Sequence, residues 1–242
     1  MRRLLQFLIV TVLVMACSDI PQEPTVASGD LHARLTSPPD LSGILPELER
    51  RVFIHYRPGY ARPEGRGKPG GGNGGSSCFS LLANGAKWKT IEPYRTSFAS
   101  LPVATWEFNN EIFGPSESGP IPGIEKFGEL DSLNTAQFGP YPEPNVIAVT
   151  VVWGVFRGPP RQRKLVEWDM LMNSDFSWGD ADLDPAVMDT LNIAAHELGH
   201  AAGLGHPPDE CTDETMYAFA EFGETKKRDL APGDIAGILE LY

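Results

Sequence analysis

Short apolar stretches bounded by turn-forming residues recur along the chain and predict β-strands. Val146–Val152 is apolar at nearly every position, which is typical of a strand buried on both faces of a sheet. Val52–Tyr56 is more isolated, and we interpret it as an extra strand at a sheet edge. The remaining predicted strands are Phe79–Leu82, Ile91–Phe98 and Lys164–Met172.

Three other segments predict helices. In the main one, Asp184-Pro185 supplies an N-cap and a proline for the first turn. A second helix is predicted to run from Pro102 to Phe113, and a last one to begin near Pro232. Apolar residues recur at three- and four-residue spacing after Asp184-Pro185 and define a buried face: Val187, Leu191, Ala194, Leu198 and Ala201.

The order of these elements predicts an α+β or α/β sandwich with a cleft along one edge strand. An extended peptide could pair with such an edge. Residues 17–46 are rich in Pro, Ser, Asp and Glu without periodicity, which predicts a disordered tether. Gly65–Ser77 is glycine-rich and predicts a flexible loop, so residues 47–77 are expected to hold the extra strand and this loop. The main domain then spans residues 78–242.

The N-terminus has the pattern of a secretory signal. Arg2-Arg3 precedes the apolar run Leu4–Ala16, which is too short for an ordinary membrane span. Leu13–Cys17 looks like a bacterial lipobox, which predicts a signal peptide over residues 1–16 and lipidation of Cys17. We therefore expect an exported protein held on a membrane by a lipid anchor, at the cell surface or in the periplasm. Plain secretion is the alternative.

Three of the five histidines fall close together and carry the clearest chemical pattern. His196 and His200 are four residues apart, so on a helix they project from one face. Gly203 can end that helix in the left-handed conformation and return the chain so that His206 becomes a third ligand. Three ligands with an open position suit a catalytic zinc, whereas a structural zinc site is closed by four. Glu197 is placed to act as general base on a zinc-activated water.

This motif and the residues after it resemble the metzincin zinc peptidases, and matrixins in particular. Glu214–Tyr217 is similar to their Met-turn, which implies that Met216 packs beneath the zinc ligands. Tyr217 would then line a pocket or pack. Lys227–Tyr242 is similar to the last helix of matrixin catalytic domains. The resemblance is strong over residues 185–242 and faint over 78–184.

The resemblance implies a metzincin-type fold, with a twisted mixed sheet, an active-site helix and a C-terminal helix. It also implies a zinc endopeptidase that acts on extracellular proteins. Two alternatives stay open: a zinc amidase acting on cell-wall or modified peptides, and a catalytically silent binding module that keeps its metal. The chain departs from matrixins in having no Pro-Arg-Cys-Gly switch, and in Ala218, where matrixins usually have proline beside the specificity pocket.

Cys78 and Cys211 would meet an oxidising environment in an exported protein, which favours a disulfide between them. Such a bridge would pin the loop between His206 and Met216. Two alternatives are a Cys78 thiolate that caps the zinc, and a pair of free thiols.

Other polar residues have more ordinary interpretations. His55 is interpreted as a surface or strand residue and not a metal ligand. Asp180, Asp182 and Asp184 suit turns and an N-cap, with structural calcium as the alternative that matrixins suggest. The net charge of −12 argues against nucleic acid as a partner, and a monomer that acts on protein or peptide is expected.

Overall fold

A computed structural model describes residues 28–39, 47–60 and 78–242. The longer strands are β1 (Leu48–Tyr56), β3 (Glu92–Thr96), β4 (Phe113–Ser116), β5 (Asn134–Gly139), β6 (Val146–Val155) and β7 (Lys164–Asn173). The short strands are β2 (Ser80–Leu81), β8 (Trp178–Gly179), β9 (Met188–Asp189) and β10 (Leu204–Gly205). The helices are α1 (Ser28–Thr36), α2 (Val103–Trp106), α3 (Thr190–Ala202) and α4 (Pro232–Leu241).

The longer strands form one six-stranded mixed sheet in the order β1-β6-β7-β5-β3-β4. Strand β6 pairs antiparallel with β1 on one side and with β7 on the other. The pairs β7–β5, β5–β3 and β3–β4 are parallel. A mixed sheet with helices on it confirms the expected α+β architecture.

Strand β6 is buried on both faces, as its apolar sequence predicts. Ala148 and Val152 belong to the larger core, which also contains Leu198 of helix α3. Val149 and Val151 point to the opposite face and belong to a second core. Because β6 is packed on both sides, side chains on its inner face are held firmly against α3.

Helix α1 lies where a disordered tether was predicted, and that prediction is wrong for residues 28–39. Leu31 and Leu35, four residues apart, are buried in the second core beneath the sheet. The Arg50 guanidinium donates to the carbonyl oxygens of Arg34, Leu35 and Ser37 at the end of this helix. A pair of leucines is too short a pattern to stand out from sequence, so tertiary contacts decide this helix.

The predicted helix from Pro102 to Phe113 is also wrong over most of its length. Only Val103–Trp106 is helical, and the chain reaches β4 by Phe113. The carboxylate of Glu107 accepts the backbone N–H groups of both Ile112 and Phe113, at 2.9 and 2.7 Å. This side-chain cap folds the segment back and competes with the helical hydrogen bonds.

The predicted strands and the last helix lie close to their predicted positions. Val52–Tyr56 is the end of a longer strand, β1, which lies at one edge of the sheet. The predicted signal peptide, Cys17, the rest of the tether and the glycine-rich loop lie outside the described residues. No helix within the described ranges is long and apolar enough to cross a membrane.

Candidate metal centre and active site

Helix α3 carries the first two histidines of the motif, and it begins later than predicted. Its N-cap is Asp189, whose carboxylate accepts the N–H of Asn192 at 2.8 Å. Asp184 forms a turn instead, because its Oδ1 accepts the N–H of Ala186. Ala194, Leu198 and Ala201 form the predicted buried face, whereas Leu191 is exposed and Val187 precedes the helix.

The end of α3 follows the sequence pattern. Gly203 has φ of 107° and donates its N–H to the carbonyl oxygen of His200. A Cβ at this position would also lie 2.6 Å from the carbonyl oxygen of Ala86. Both the positive φ and this close approach therefore require glycine. The chain then turns through β10 and brings His206 back to the helix.

The three histidines meet in the orientation that a metal needs. His196 Nδ1 lies 2.7 Å from the carbonyl oxygen of Thr215, and His200 Nδ1 lies 2.9 Å from that of Leu204. A carbonyl can only accept, so both Nδ1 atoms carry the proton and both Nε2 atoms keep a lone pair for a cation.

The spacing of the ligand atoms fits one zinc ion. The Nε2 atoms of His200 and His206 are 3.1 Å apart, and tetrahedral zinc holds two nitrogens about 3.4 Å apart. One ligand nitrogen from each of the three histidines lies within 4.8 Å of the others. His196 Nε2 is buried without a hydrogen-bond partner among the described residues. Such an orphaned acceptor is expected where a cation binds.

Burial keeps these imidazoles neutral. Loss of solvent lowers the pKa of His200 to about 3 and holds the pKa of His196 and His206 well below the ordinary value. Since a metal ligand must be deprotonated, neutral rings suit metal binding.

Glu197 lies next to this centre and is completely buried. Its Oε2 accepts the hydroxyl of Thr150 on β6 at 2.5 Å, and its Oε1 lies 3.1 Å from Nδ1 of His55. Burial raises the pKa of Glu197 to about 8. His55 lies in β1, as expected for a strand residue, but it is buried and not on the surface, and its ring packs against that of His196 with centroids 4.0 Å apart and planes tilted by 32°. Sequence gave no signal for this proximity.

Met216, the methionine of the predicted Met-turn, is buried against helix α3. A Cβ on Gly199 would come within 2.1 Å of its Sδ, so Met216 packs directly against α3 between the two ligands. The turn is held by Asp234 of α4, which accepts the N–H groups of Thr215 and Met216 at 2.6 and 3.1 Å. The last helix therefore positions the turn.

The segment after the turn is fixed by Lys227, a residue that sequence reasoning missed. Its ammonium donates to the carbonyl oxygens of Tyr217 and Phe219, at 2.5 and 2.8 Å, and lies 3.2 Å from His55 Nε2. Complete burial lowers the pKa of Lys227 to about 7. Tyr217 is half-buried, with its ring against Phe219. A lysine between charged neighbours looks like a surface residue, so its role shows only in three dimensions.

Cys78 and Cys211 form a disulfide with their Cα atoms 5.5 Å apart, which pins the loop after His206. Asp180 and Asp182 bond the guanidinium of Arg228, which also contacts Asp189. The guanidinium of Arg228 thus balances the charge of these carboxylates. Binding of structural calcium by this chain stays a prediction.

Comparison with known proteins agrees with this geometry. Residues 159–242 match the model of the family described as Matrixin. This segment of the chain is matrixin-like. The chain is 44% identical over 56 residues to metalloendoproteinase 1-MMP of Arabidopsis thaliana. It is 36% identical over 74 residues to matrilysin of Felis catus.

These matches cover only part of each protein. The match to the plant relative includes 23% of this chain and 15% of that protein. The match to the cat relative includes 31% of this chain and 27% of that protein. The family match begins in the turn before β7 and includes α3, the histidines, the Met-turn and α4. Strand β1, which brings His55 to the centre, lies outside it.

Proposed function

We propose that this chain is a zinc metalloendopeptidase that hydrolyses peptide bonds of extracellular proteins. The observation that carries the proposal is the convergence of His196, His200 and His206 with Glu197 beside them. The relatives' names, metalloendoproteinase and matrilysin, support a peptidase. An open three-histidine site suits catalysis better than a structural role.

The residues divide the chemistry between them. Zinc, when bound to the three histidines, would polarise the scissile carbonyl and activate a water molecule. Glu197 would take the proton of the attacking water and return it to the departing amine. Thr150 orients this carboxylate from β6, while Thr215 and Leu204 fix the rings of His196 and His200 through their carbonyl oxygens.

The proposed setting is outside the cytoplasm. The apolar run Leu4–Ala16 before Cys17 supports export and a lipid anchor, and the Cys78–Cys211 disulfide suits an oxidising compartment. Metabolic labelling with a radioactive fatty acid, in the host and in a Cys17→Ser variant, tests the anchor. Label in the wild type that the variant loses supports it, and unlabelled wild type contradicts it.

The activity is tested by incubating the zinc-loaded chain with a diverse peptide library, with and without a zinc chelator. Chelator-sensitive cleavage inside peptides supports the endopeptidase, and cleavage of cell-wall fragments alone supports the amidase instead. A folded, zinc-loaded chain that cleaves nothing, even when β1 is loosened as described below, contradicts both.

The first mutational prediction concerns Glu197. Glu197→Ala should keep its zinc, because the ligands are unchanged, and lose activity by roughly three orders of magnitude, because proton transfer is removed. Zinc content by atomic absorption and rates on a cleaved peptide measure both. Wild-type rates in the variant would remove Glu197 from the mechanism.

A further inference from the structure

Every residue of the proposed site is buried, although a peptidase must bring a substrate bond to it. His196 and Glu197 are 0% exposed, His200 is 1% and His206 is 5%. A carboxylate and three imidazoles without solvent contact cannot meet a polypeptide in this arrangement. Something that belongs to the chain itself therefore covers the site.

The cover is strand β1. The ring of Phe53 stacks on that of His200, with centroids 3.9 Å apart and planes 9° from parallel, and also meets the edge of His206. Two residues on, the ring of His55 packs at a tilt against that of His196 and contacts Glu197. Alternate residues of one strand thus cover the three ligands and the proton-transfer residue.

Strand β1 lies as an extended peptide would lie in a cleft. On one side it pairs antiparallel with β6 along its whole length, from Leu48 opposite Val155 to Tyr56 opposite Val146. On the other side Tyr56 forms a parallel bridge with Phe219 of the segment after the Met-turn. Backbone pairing on both sides is a general way to hold an extended polypeptide of varied sequence.

Both ring nitrogens of His55 have hydrogen-bond partners in this position. Lys227 donates from its ammonium to Nε2 of His55, so Nδ1 carries the proton and donates to Glu197 Oε1. With Thr150 bonded to Oε2, each oxygen of Glu197 has a protein partner where an attacking water would be needed. A merely structural edge strand would not need a buried histidine here.

We propose that strand β1 is a self-inhibitory occupant of the substrate cleft, which a peptide replaces on β6 when the strand withdraws. This inference rests on the proposed function, since it assigns the cleft to a peptide substrate. The closed chain is then latent. A ligand of the centre binds with an affinity reduced by the fraction of molecules in which β1 is open.

The strand offers a way to loosen it without touching the site. Side chains alternate along a strand, so Ile54 points away from the histidines and packs in the second core with Leu31 and Leu35. Ile54→Ser weakens the docking of β1 from that side. His55→Ala removes the contact on the site side, and Arg51→Ala is a matched control, because Arg51 is exposed on the same strand.

The test uses the zinc-loaded full chain and these three variants. Two quantities are measured: the rate at which dipicolinic acid withdraws zinc, and the dissociation constant of a small peptide-like hydroxamate. Ile54→Ser and His55→Ala should release zinc at least about tenfold faster and bind the hydroxamate about tenfold more tightly. Arg51→Ala should match the wild type. Equal values in all four proteins overturn the proposal.

Peptide hydrolysis by the same proteins separates the two proposals. Faster zinc release and tighter hydroxamate binding without any cleavage keep the inhibitory strand and refute the endopeptidase.

Hydrogen exchange provides a test on the wild type alone, which does not depend on the folding of a variant. Saturating hydroxamate should speed exchange of the amides of Val52–Tyr56, because it displaces them from β6. Unchanged or slower exchange there overturns the proposal.

Discussion

Glu167 shows how far a single residue can depart from its ordinary chemistry. It lies on β7, is almost fully buried, and accepts the backbone N–H groups of Asp131 and Ser132. Burial raises the pKa of Glu167 to about 8, and the nearby charge of Asp169 adds to this. The folded chain therefore binds a proton here at pH values where the unfolded chain releases it.

This predicts a pH-dependent stability difference between the wild type and Glu167→Gln. The stabilisation from the protonated carboxyl is complete below about pH 4.5 and is lost as pH rises to about 8. Relative to the variant, the wild type should lose on the order of a few kcal/mol across this interval. Urea unfolding at pH 5 and pH 8 measures it. A difference that stays constant with pH contradicts the raised pKa.

Lys227 gives a second prediction at this scale. Lys227→Met removes the ammonium that donates to the part-buried carbonyl oxygens of Tyr217 and Phe219. We expect a loss of about 2–4 kcal/mol in unfolding free energy. Lys226→Met is the matched control, because Lys226 is exposed. Equal stability of the two variants would show that Lys227 is not needed to hold the segment after the Met-turn in place.

The sequence reveals those site residues that are close in the chain. His196, His200 and His206 are found by spacing because one helix and one turn set their geometry. His55 reaches Glu197 across 142 residues, and no local pattern encodes such a contact. The role of a residue such as His55, which depends on how the strands pair, is therefore visible only in the structure.

At the scale of elements, buried strands were easier to predict than helix boundaries. Strand β6 was recognised because both its faces are apolar. Helix α3 was placed too early because Asp184-Pro185 and Asp189 both look like helix starts, and Asp189 is selected by its bonds to Arg228 and Ala181. Competition between equivalent local signals is decided by tertiary partners.

The disulfide links the segment just before β2 to the loop after His206. Its two cysteines are separated by 133 residues. Closing so long a loop strongly reduces the conformational entropy of the unfolded chain. The double variant Cys78→Ser with Cys211→Ser should lose about 2–5 kcal/mol in unfolding free energy.

Thermal unfolding of the double variant and of the wild type, each with and without reductant, measures this. Reductant should destabilise only the wild type. A wild type that does not respond to reductant would show that the bridge is absent in solution.

For the whole molecule, metal binding and folding are coupled, since the three histidines converge only in the native state. Complete removal of zinc should lower the melting temperature by about 10 °C, if zinc is present at roughly a thousand times its dissociation constant. Calorimetry before and after exhaustive chelation measures the shift.

Two histidine variants provide the comparison for this measurement. His206→Ala should abolish most of the shift because a ligand is lost. His32→Ala should keep it, because His32 bonds Tyr141 far from the ligands. A shift of equal size in both variants would mean that zinc binds elsewhere.

The position of β1 at the sheet edge also sets the order in which the molecule can be assembled. Strand β6 pairs with β7, the next strand in the chain, whereas its pairing with β1 joins segments that are far apart in sequence and is expected to form later. The three-histidine site can thus form before strand β1 covers it. An ion that arrives during this interval enters freely, whereas a late one must wait for the edge to open, so zinc loading is governed by timing during biosynthesis as much as by affinity.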